Sequence, residues 1–340
     1  MTPFGSLDRG EAGVNGHCLP DMSVVSVTAD NYTTIRKVMQ CLRNQTVRDR
    51  LEIVIVAPSA DNLGMEVSEM KDFLRVCVVE AGEIRSTGRA IAAGVRRASA
   101  PVVAYAEEHA YPDPGWAEAL IAAHRQPWAA VGSVIANANP SSMISWASLF
   151  SDFGPFVEPA EGGERRSLAW HHAAYKRAIL LEYGPDLELM METEGILHCD
   201  LRARGYRLYL EPAAKTFHLN VSLLLAYLAS EYHGGRLFGA ARARHGRWTG
   251  FRRLVYVGGM PLIPLVRLWR VLREIRRSGR AGGVLPRILP PLIMGLASHA
   301  VGEVTGYAAG AGEAAQRRVE FELHRSRYTR ERDGHARAGS

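Results

Sequence analysis

Glu107, Glu108 and His109 follow the apolar run Pro101-Val102-Val103-Ala104-Tyr105 and precede the turn Tyr111-Pro112-Asp113-Pro114-Gly115-Trp116. Open α/β sheets collect ligands where parallel strands end, and acid and imidazole side chains there can hold a divalent cation against a diphosphate. Three charged residues after a strand also read as a solvated turn. The elements around them weigh between these two readings.

Met22 to Thr28 is an alternating, β-branched strand, and Ile35, Val38, Met39 and Leu42 then recur at helical spacing. Leu51 to Val56 and Arg75 to Val79 are further strands, and a small-residue helix over Ala90 to Ala98 leads into the strand at Val102. Trp116 to His124 is helical after Pro114-Gly115, and Ala129 to Ile135 is again a strand. Such alternation predicts a parallel sheet with helices on both faces. Beyond a Gly/Glu-rich loop at Glu161-Gly162-Gly163-Glu164, a helix is expected from Tyr175, another over Met190 to Arg204, and a short strand over Tyr206 to Leu210.

The 340 residues, 47% of them hydrophobic, suffice for one α/β domain of roughly 230 residues plus an appendage. Cys18, Cys41, Cys77 and Cys199 show no paired spacing, which argues against a zinc module or disulfide framework and for a reducing cytosol. The net charge of +6 is unevenly spread. Arg236, Arg242, Arg244, Arg247, Arg252, Arg253, Arg267, Arg270, Arg273, Arg276, Arg277 and Arg280 share a stretch whose single acid is Glu274. Interleaved apolar residues at Leu254 to Val257 and Leu262 to Val266 suit a phospholipid interface better than nucleic acid; a solvated helix face is the alternative. Leu254 to Val266 and Ile288 to Ala297 are each too short and too interrupted by Pro or Arg to span a bilayer.

Over roughly residues 22 to 220 the order of these pieces resembles the family-two glycosyltransferases with a GT-A fold. Ser26-Val27-Thr28-Ala29-Asp30-Asn31 looks like the family's opening strand and loop, and Glu52 to Val56 like its second strand. Tyr105 to Trp116 resembles the segment with the Asp-x-Asp motif, Glu107 aligning with the first Asp and His109 with the second. Thr193-Glu194, with Leu201 to Arg207 behind it, resembles the segment that supplies the catalytic base, and Lys215 to His218 the strand ending in a His near the metal. The sequence departs from the family at Ala57-Pro58, where two acids normally contact the nucleobase.

The resemblance implies an α/β GT-A fold with a mixed sheet and a C-terminal helical extension. It implies a metal-dependent, inverting transfer from a nucleotide-diphosphate sugar to a glycan, lipid-linked or small-molecule acceptor. Glu107, His109 and His218 would hold Mn²⁺ or Mg²⁺, and Glu194 would be the base, with Glu192 its runner-up. Thr28, Asp30, Asn31, Asp61, Glu107, Glu108 and Arg177 are the expected donor contacts, Arg177 alternatively capping a helix. His171 or His172 stands where the family commonly has Asn or Gly, and Asn137, Asn139 and Trp146 border the expected acceptor pocket. Ala57-Pro58 keeps open a catalytically silent sugar-nucleotide or glycan-binding relative in a polysaccharide-synthesis complex. A nucleotidyltransferase is disfavoured, because no Gly-rich phosphate loop follows the first strand. The expected organisation is a flexible N-terminus over 1–21, the GT-A domain over 22–235, a basic and apolar helical region over 236–316, and a flexible basic tail over 317–340. The expected location is cytoplasmic, peripheral at the inner face of the cell membrane through contact with anionic lipid, with no nucleic-acid partner.

Overall fold

The computed structural model describes residues 7–8 and 19–330; most of the N-terminus expected to be flexible, and residues 331–340 of the tail, lie outside them. In chain order the strands are β1 (Leu7–Asp8), β2 (Met22–Val27), β3 (Leu51–Ala57), β4 (Arg75–Glu80), β5 (Val102–Tyr105), β6 (Ala110–Pro112), β7 (Ala130–Asn137), β8 (Gly163–Arg165), β9 (Ala173–Lys176) and β10 (Leu208–His218). The helices are α1 (Tyr32–Arg43), α2 (Thr87–Arg97), α3 (Trp116–Ala123), α4 (Met143–Phe153), α5 (Arg177–Leu181), α6 (Leu187–Glu192), α7 (Glu194–Ala203), α8 (Leu224–His245), α9 (Gly250–Gly258), α10 (Leu262–Arg277), α11 (Ala281–Ala309) and α12 (Ala314–Leu323).

The chain divides into two compact units, residues 1–134 with 161–217 and residues 135–160 with 218–340. This differs from the expected boundary at 235, because residues 135–160 and 218–235 cluster with the C-terminal helices. The sheet belongs to the first unit, apart from the final residues of β7 and β10, and runs β1-β4-β3-β2-β5-β9-β7-β10-β6 with β8 beside β10. β4, β3, β2 and β5 are parallel, and β2 and β3 are buried at every residue, as uninterrupted apolar strands covered on both faces require. Beyond β5 the direction reverses, since β9 is antiparallel to both β5 and β7.

That reversal matters for the site. The β5–β9 register pairs Val102 with Lys176, Val103 with Tyr175 and Ala104 with Ala174. Continued three residues past Ala104, it carries Glu107 opposite His171. The helix expected from Tyr175 is therefore a strand through Lys176, with only the short α5 behind it. The single helix expected over 190–204 is two, broken at Thr193 (φ −139°, ψ 63°), so that Glu194 opens α7. β10 is eleven residues long rather than a short strand, because it continues through Ala214 and Phe217.

In the second unit α11 runs unbroken through Pro286, Pro290 and Pro291 and packs mainly on α8. The two helices approach closely: a Cβ on Gly235 would lie 2.2 Å from His299 O, and one on Gly302 would lie 2.0 Å from Tyr232 O. Among the described residues α11 alone is long and apolar enough to cross a membrane by itself, contrary to the reading that broke it at the prolines. The described part of the expected tail is also packed. α12 buries Val319, Phe321 and Leu323, and Glu322 pairs with Arg318 and Arg325.

Candidate functional site

The turn between β5 and β6 is pinned at both ends: Ala106 N–H donates to Val25 O, and Ala110 N–H to Glu107 O. Behind it, Gln45 holds Asp113 O and Ala117 N, anchoring the descent into α3. Glu107, Glu108 and His109 are all buried, so the tripeptide is not a solvated turn. Three imidazoles surround the Glu107 carboxylate. His171 Nδ1 lies 2.7 Å from Oε1, and His172 Nε2 and His109 Nε2 lie 3.3 and 3.5 Å from Oε2. Glu108 Oε1 is 3.5 Å from the other face of the His109 ring, at Nδ1.

His171 is one of two described non-glycine residues with a left-handed backbone, at φ 61°. An αL backbone off glycine persists where its surroundings hold it, often at a functional site. Here it aims the ring at Glu107 and the backbone N–H at Glu194 Oε2, 3.1 Å away. Edge-on packing against Tyr105 fixes the ring further.

Glu194, at 1% exposure, also accepts at Oε2 from the Tyr175 hydroxyl at 3.1 Å. Tyr175 Oη lies 2.8 Å from His198 Nε2, and Leu168 N–H donates to His198 Nδ1 at 3.4 Å. Because Nδ1 accepts, the neutral ring carries its proton on Nε2, and the hydroxyl proton of Tyr175 points to Glu194. Burial depresses His198 to about 3, which keeps it neutral. Burial pushes Glu194 up to about 7, partly offset by His171 and the hydrogen bonds it accepts. Its Oε1 has no hydrogen-bond partner among the described residues.

The other expected residues divide. Thr28 is buried, its hydroxyl donating to Asn31 O, and Asn31 is the N-cap of α1, accepting from Thr33 N–H. Asp30 and Asp61 are exposed in the loops after β2 and β3, on the same sheet edge as Glu107 after β5. Ala57 ends β3 buried, in register with Glu80, whose carboxylate accepts from Ala60 N–H. Arg177 takes the second of its two expected roles: its guanidinium donates to Val95 O and Arg96 O, capping the C-terminal turn of α2. Glu192, the runner-up as base, accepts from Ser86 Oγ and Gly88 N–H at the other end of α2. His218 lies in the second unit, buried against Phe153, with Nδ1 2.8 Å from Asn220 Oδ1. Trp146 is core, donating to Pro140 O and stacking on Phe150, and Asn137 and Asn139 are tied up with Asn220 and Ser145.

Sequence reasoning missed His172 and His171 as neighbours of Glu107, although the adjacent pair was a visible signal. Tyr175 and His198 gave none, since their partners are set by strand pairing and helix docking.

The Glu107 carboxylate with the His109 imidazole is a mixed oxygen and nitrogen donor pair that suits Mn²⁺ and other borderline cations better than Mg²⁺. Residues 23–184 match the family model described as glycosyl transferase family 2. No curated protein matches the sequence. Among solved structures, the mannosyltransferase PcManGT from Pyrobaculum calidifontis, in complex with GDP-Man and Mn²⁺, is similar at a TM-score of 0.54 and 17% identity. The match covers 84% of this chain and 87% of that one. At that identity the likeness speaks for the fold, and the fold is GT-A.

Proposed function

With residues 23–184 belonging to glycosyl transferase family 2, we propose that this chain transfers a sugar from a nucleotide-diphosphate donor to a glycan, lipid-linked or small-molecule acceptor, with inversion and with a divalent metal bound. The observation that carries the reading is the bridge made by His171, whose ring meets Glu107 and whose backbone meets Glu194. A metal-binding carboxylate and a proton-accepting carboxylate are thereby set side by side.

Glu107 and His109 would hold the metal, with His171 and His172 packed against the Glu107 carboxylate, and the family resemblance nominates His218 as well. When bound, a divalent cation neutralises the charge developing on a departing diphosphate. The protein's own groups do the rest. Glu194 Oε1 takes the proton from the acceptor hydroxyl, while Oε2 stays engaged by His171 N–H and Tyr175 O–H. An affinity for protons near neutrality suits a general base. His198 and Tyr175 hold that carboxylate in one orientation. Thr28, Asp30, Asn31 and Asp61 flank the donor edge, and the mannosyltransferase solved with GDP-Man makes that nucleotide sugar the first donor to try.

A Glu194→Gln variant tests the reading: it should fold and bind donor with Mn²⁺ yet lose turnover, and undiminished turnover removes Glu194 from the mechanism. A second reading, a sugar-nucleotide-binding relative without turnover, is favoured by buried Ala57 and by Pro58 in place of the usual acids. Metal-dependent nucleotide binding with no turnover in wild type would select it.

A further inference from the structure

In the second unit α9 and α10 are joined through Gly259, Met260 and Pro261 and bend by 63°. α9 exposes Phe251 (77%), Leu254 (67%) and Val255, and the first half of α10 exposes Leu262, Leu265, Val266 and Trp269 (61%). Within each helix these residues fall three and four apart, so each set forms one stripe. The α10 stripe then changes character along its length: beyond Trp269 its exposed members are Arg270, Arg273, Arg276 and Arg277. At the far end of α9, Arg252 is exposed as well. The opposite face of α10, at Val271, Glu274 and Ile275, is buried, and α10 packs on α11 and α4. The exposed stripe is therefore not needed by the core.

We propose that the α9–α10 joint is a docking wedge for an anionic phospholipid surface, its apolar apex entering the acyl boundary and its arginines meeting lipid phosphates. Contiguous exposed apolar surface rimmed by charge marks an interaction face. Amphipathic helices lie in the bilayer interface when Trp, Phe and Leu occupy one face beside Arg or Lys. Charge complementarity selects lipid over a second copy of this chain. The single acid between residues 236 and 280 is Glu274, and Arg273 and Arg277 already engage it. Two copies meeting through this face would bring arginines together with no carboxylate from that stretch between them.

The wedge lies in the interface rather than announcing a span. α11 is long and apolar enough to cross a membrane, as α9 and α10 are if taken as one bent span, but α8, on which α11 packs, carries Arg236, Arg242 and Arg244, and α10 carries Arg267, Arg270 and Arg273. Ionised side chains along a neighbouring helix are costly in hydrocarbon. The inference does not depend on the transfer reaction.

The test is co-sedimentation of the full chain with vesicles of phosphatidylcholine alone or mixed with phosphatidylglycerol. Binding is expected to the mixed vesicles and to weaken with salt. Leu265→Ser with Trp269→Ser should weaken it by roughly tenfold or more, as should Arg270→Glu with Arg276→Glu. Lipids brominated in the acyl chain should quench wild-type tryptophan fluorescence, and Trp269→Phe should remove part of that quenching. This readout decides the matter if the apex variant fails to fold. Absence of vesicle binding, binding undiminished in both double variants, or quenching unchanged in Trp269→Phe overturns the proposal. A dimer in solution that the apex variant abolishes, without vesicle binding, assigns the face to a second copy instead.

Discussion

His171 Nδ1 lies 2.7 Å from Glu107 Oε1, a contact between side chains 64 residues apart in sequence. It follows from the antiparallel pairing of β5 with β9, which brings the two turns beyond those strands face to face. The left-handed φ of 61° at His171 lets one residue serve both carboxylates, through its ring and its backbone N–H.

Replacing His171 with glycine separates these two roles. Glycine accepts a positive φ and keeps the backbone donor to Glu194, so the loss of thermal stability should be confined to that of the ring's contact with buried Glu107, about 1–3 kcal/mol. Mn²⁺ affinity, followed by calorimetric titration, should fall by at least about tenfold. Unchanged Mn²⁺ affinity with a large loss of stability would make His171 a structural residue.

Tyr175→Phe preserves the ring in the sheet and deletes the hydroxyl between Glu194 and His198. The His198 Nε2–H is then buried without its acceptor, at a cost of about 1–3 kcal/mol in denaturant unfolding. Because Glu194 also loses an orienting donor, kcat should fall while donor KM changes little. Unaltered stability and kcat would contradict the hydrogen-bond chain.

His198 also sets a pH dependence of stability. Its folded pKa, about 3, is below the ordinary 6.5, so between those values the unfolded chain binds a proton that the folded chain does not. Its contribution is complete above pH 6.5 and is lost as pH falls, by about 2 kcal/mol at pH 5. Urea midpoints at pH 8 and pH 5 should therefore diverge more for wild type than for His198→Gln. Equal falls in both would show that His198 is not held neutral.

Arg177→Met and Glu192→Met should behave as losses at the two ends of α2. Each removes hydrogen bonds to a helix terminus, worth about 1–2 kcal/mol. Melting temperature should drop, with donor KM unchanged in both variants. A raised donor KM for Arg177→Met alone would return Arg177 to the phosphate site.

The parallel half of the sheet was legible because β2, β3 and β5 are buried on both faces and read as unbroken apolar runs bounded by turns. The antiparallel strand β9 was not: Ala173 to Lys176 is too short to show a period, and pairing with β5 and β7 makes it a strand. Segment order nominated Glu107, His109 and Glu194, and all three are buried. Arg177 was left between phosphate and a helix cap, and Glu192 kept as a rival base, because a charged residue capping a helix and one awaiting a ligand look alike in sequence. The helix end that each serves lies about 80 and 105 residues away, a distance that only the tertiary fold closes. α11 was cut at its prolines in the sequence, whereas the helix continues past them and packs on α8 beyond Pro291.

The central claim is tested most directly by release of nucleoside diphosphate from a panel of nucleotide sugars, GDP-mannose first, with and without Mn²⁺, for wild type and Glu107→Gln. At least one donor should be consumed by wild type with Mn²⁺, and that activity should vanish on chelation and in Glu107→Gln. No release from any donor, with or without metal and with acceptor extracts present, would contradict the account.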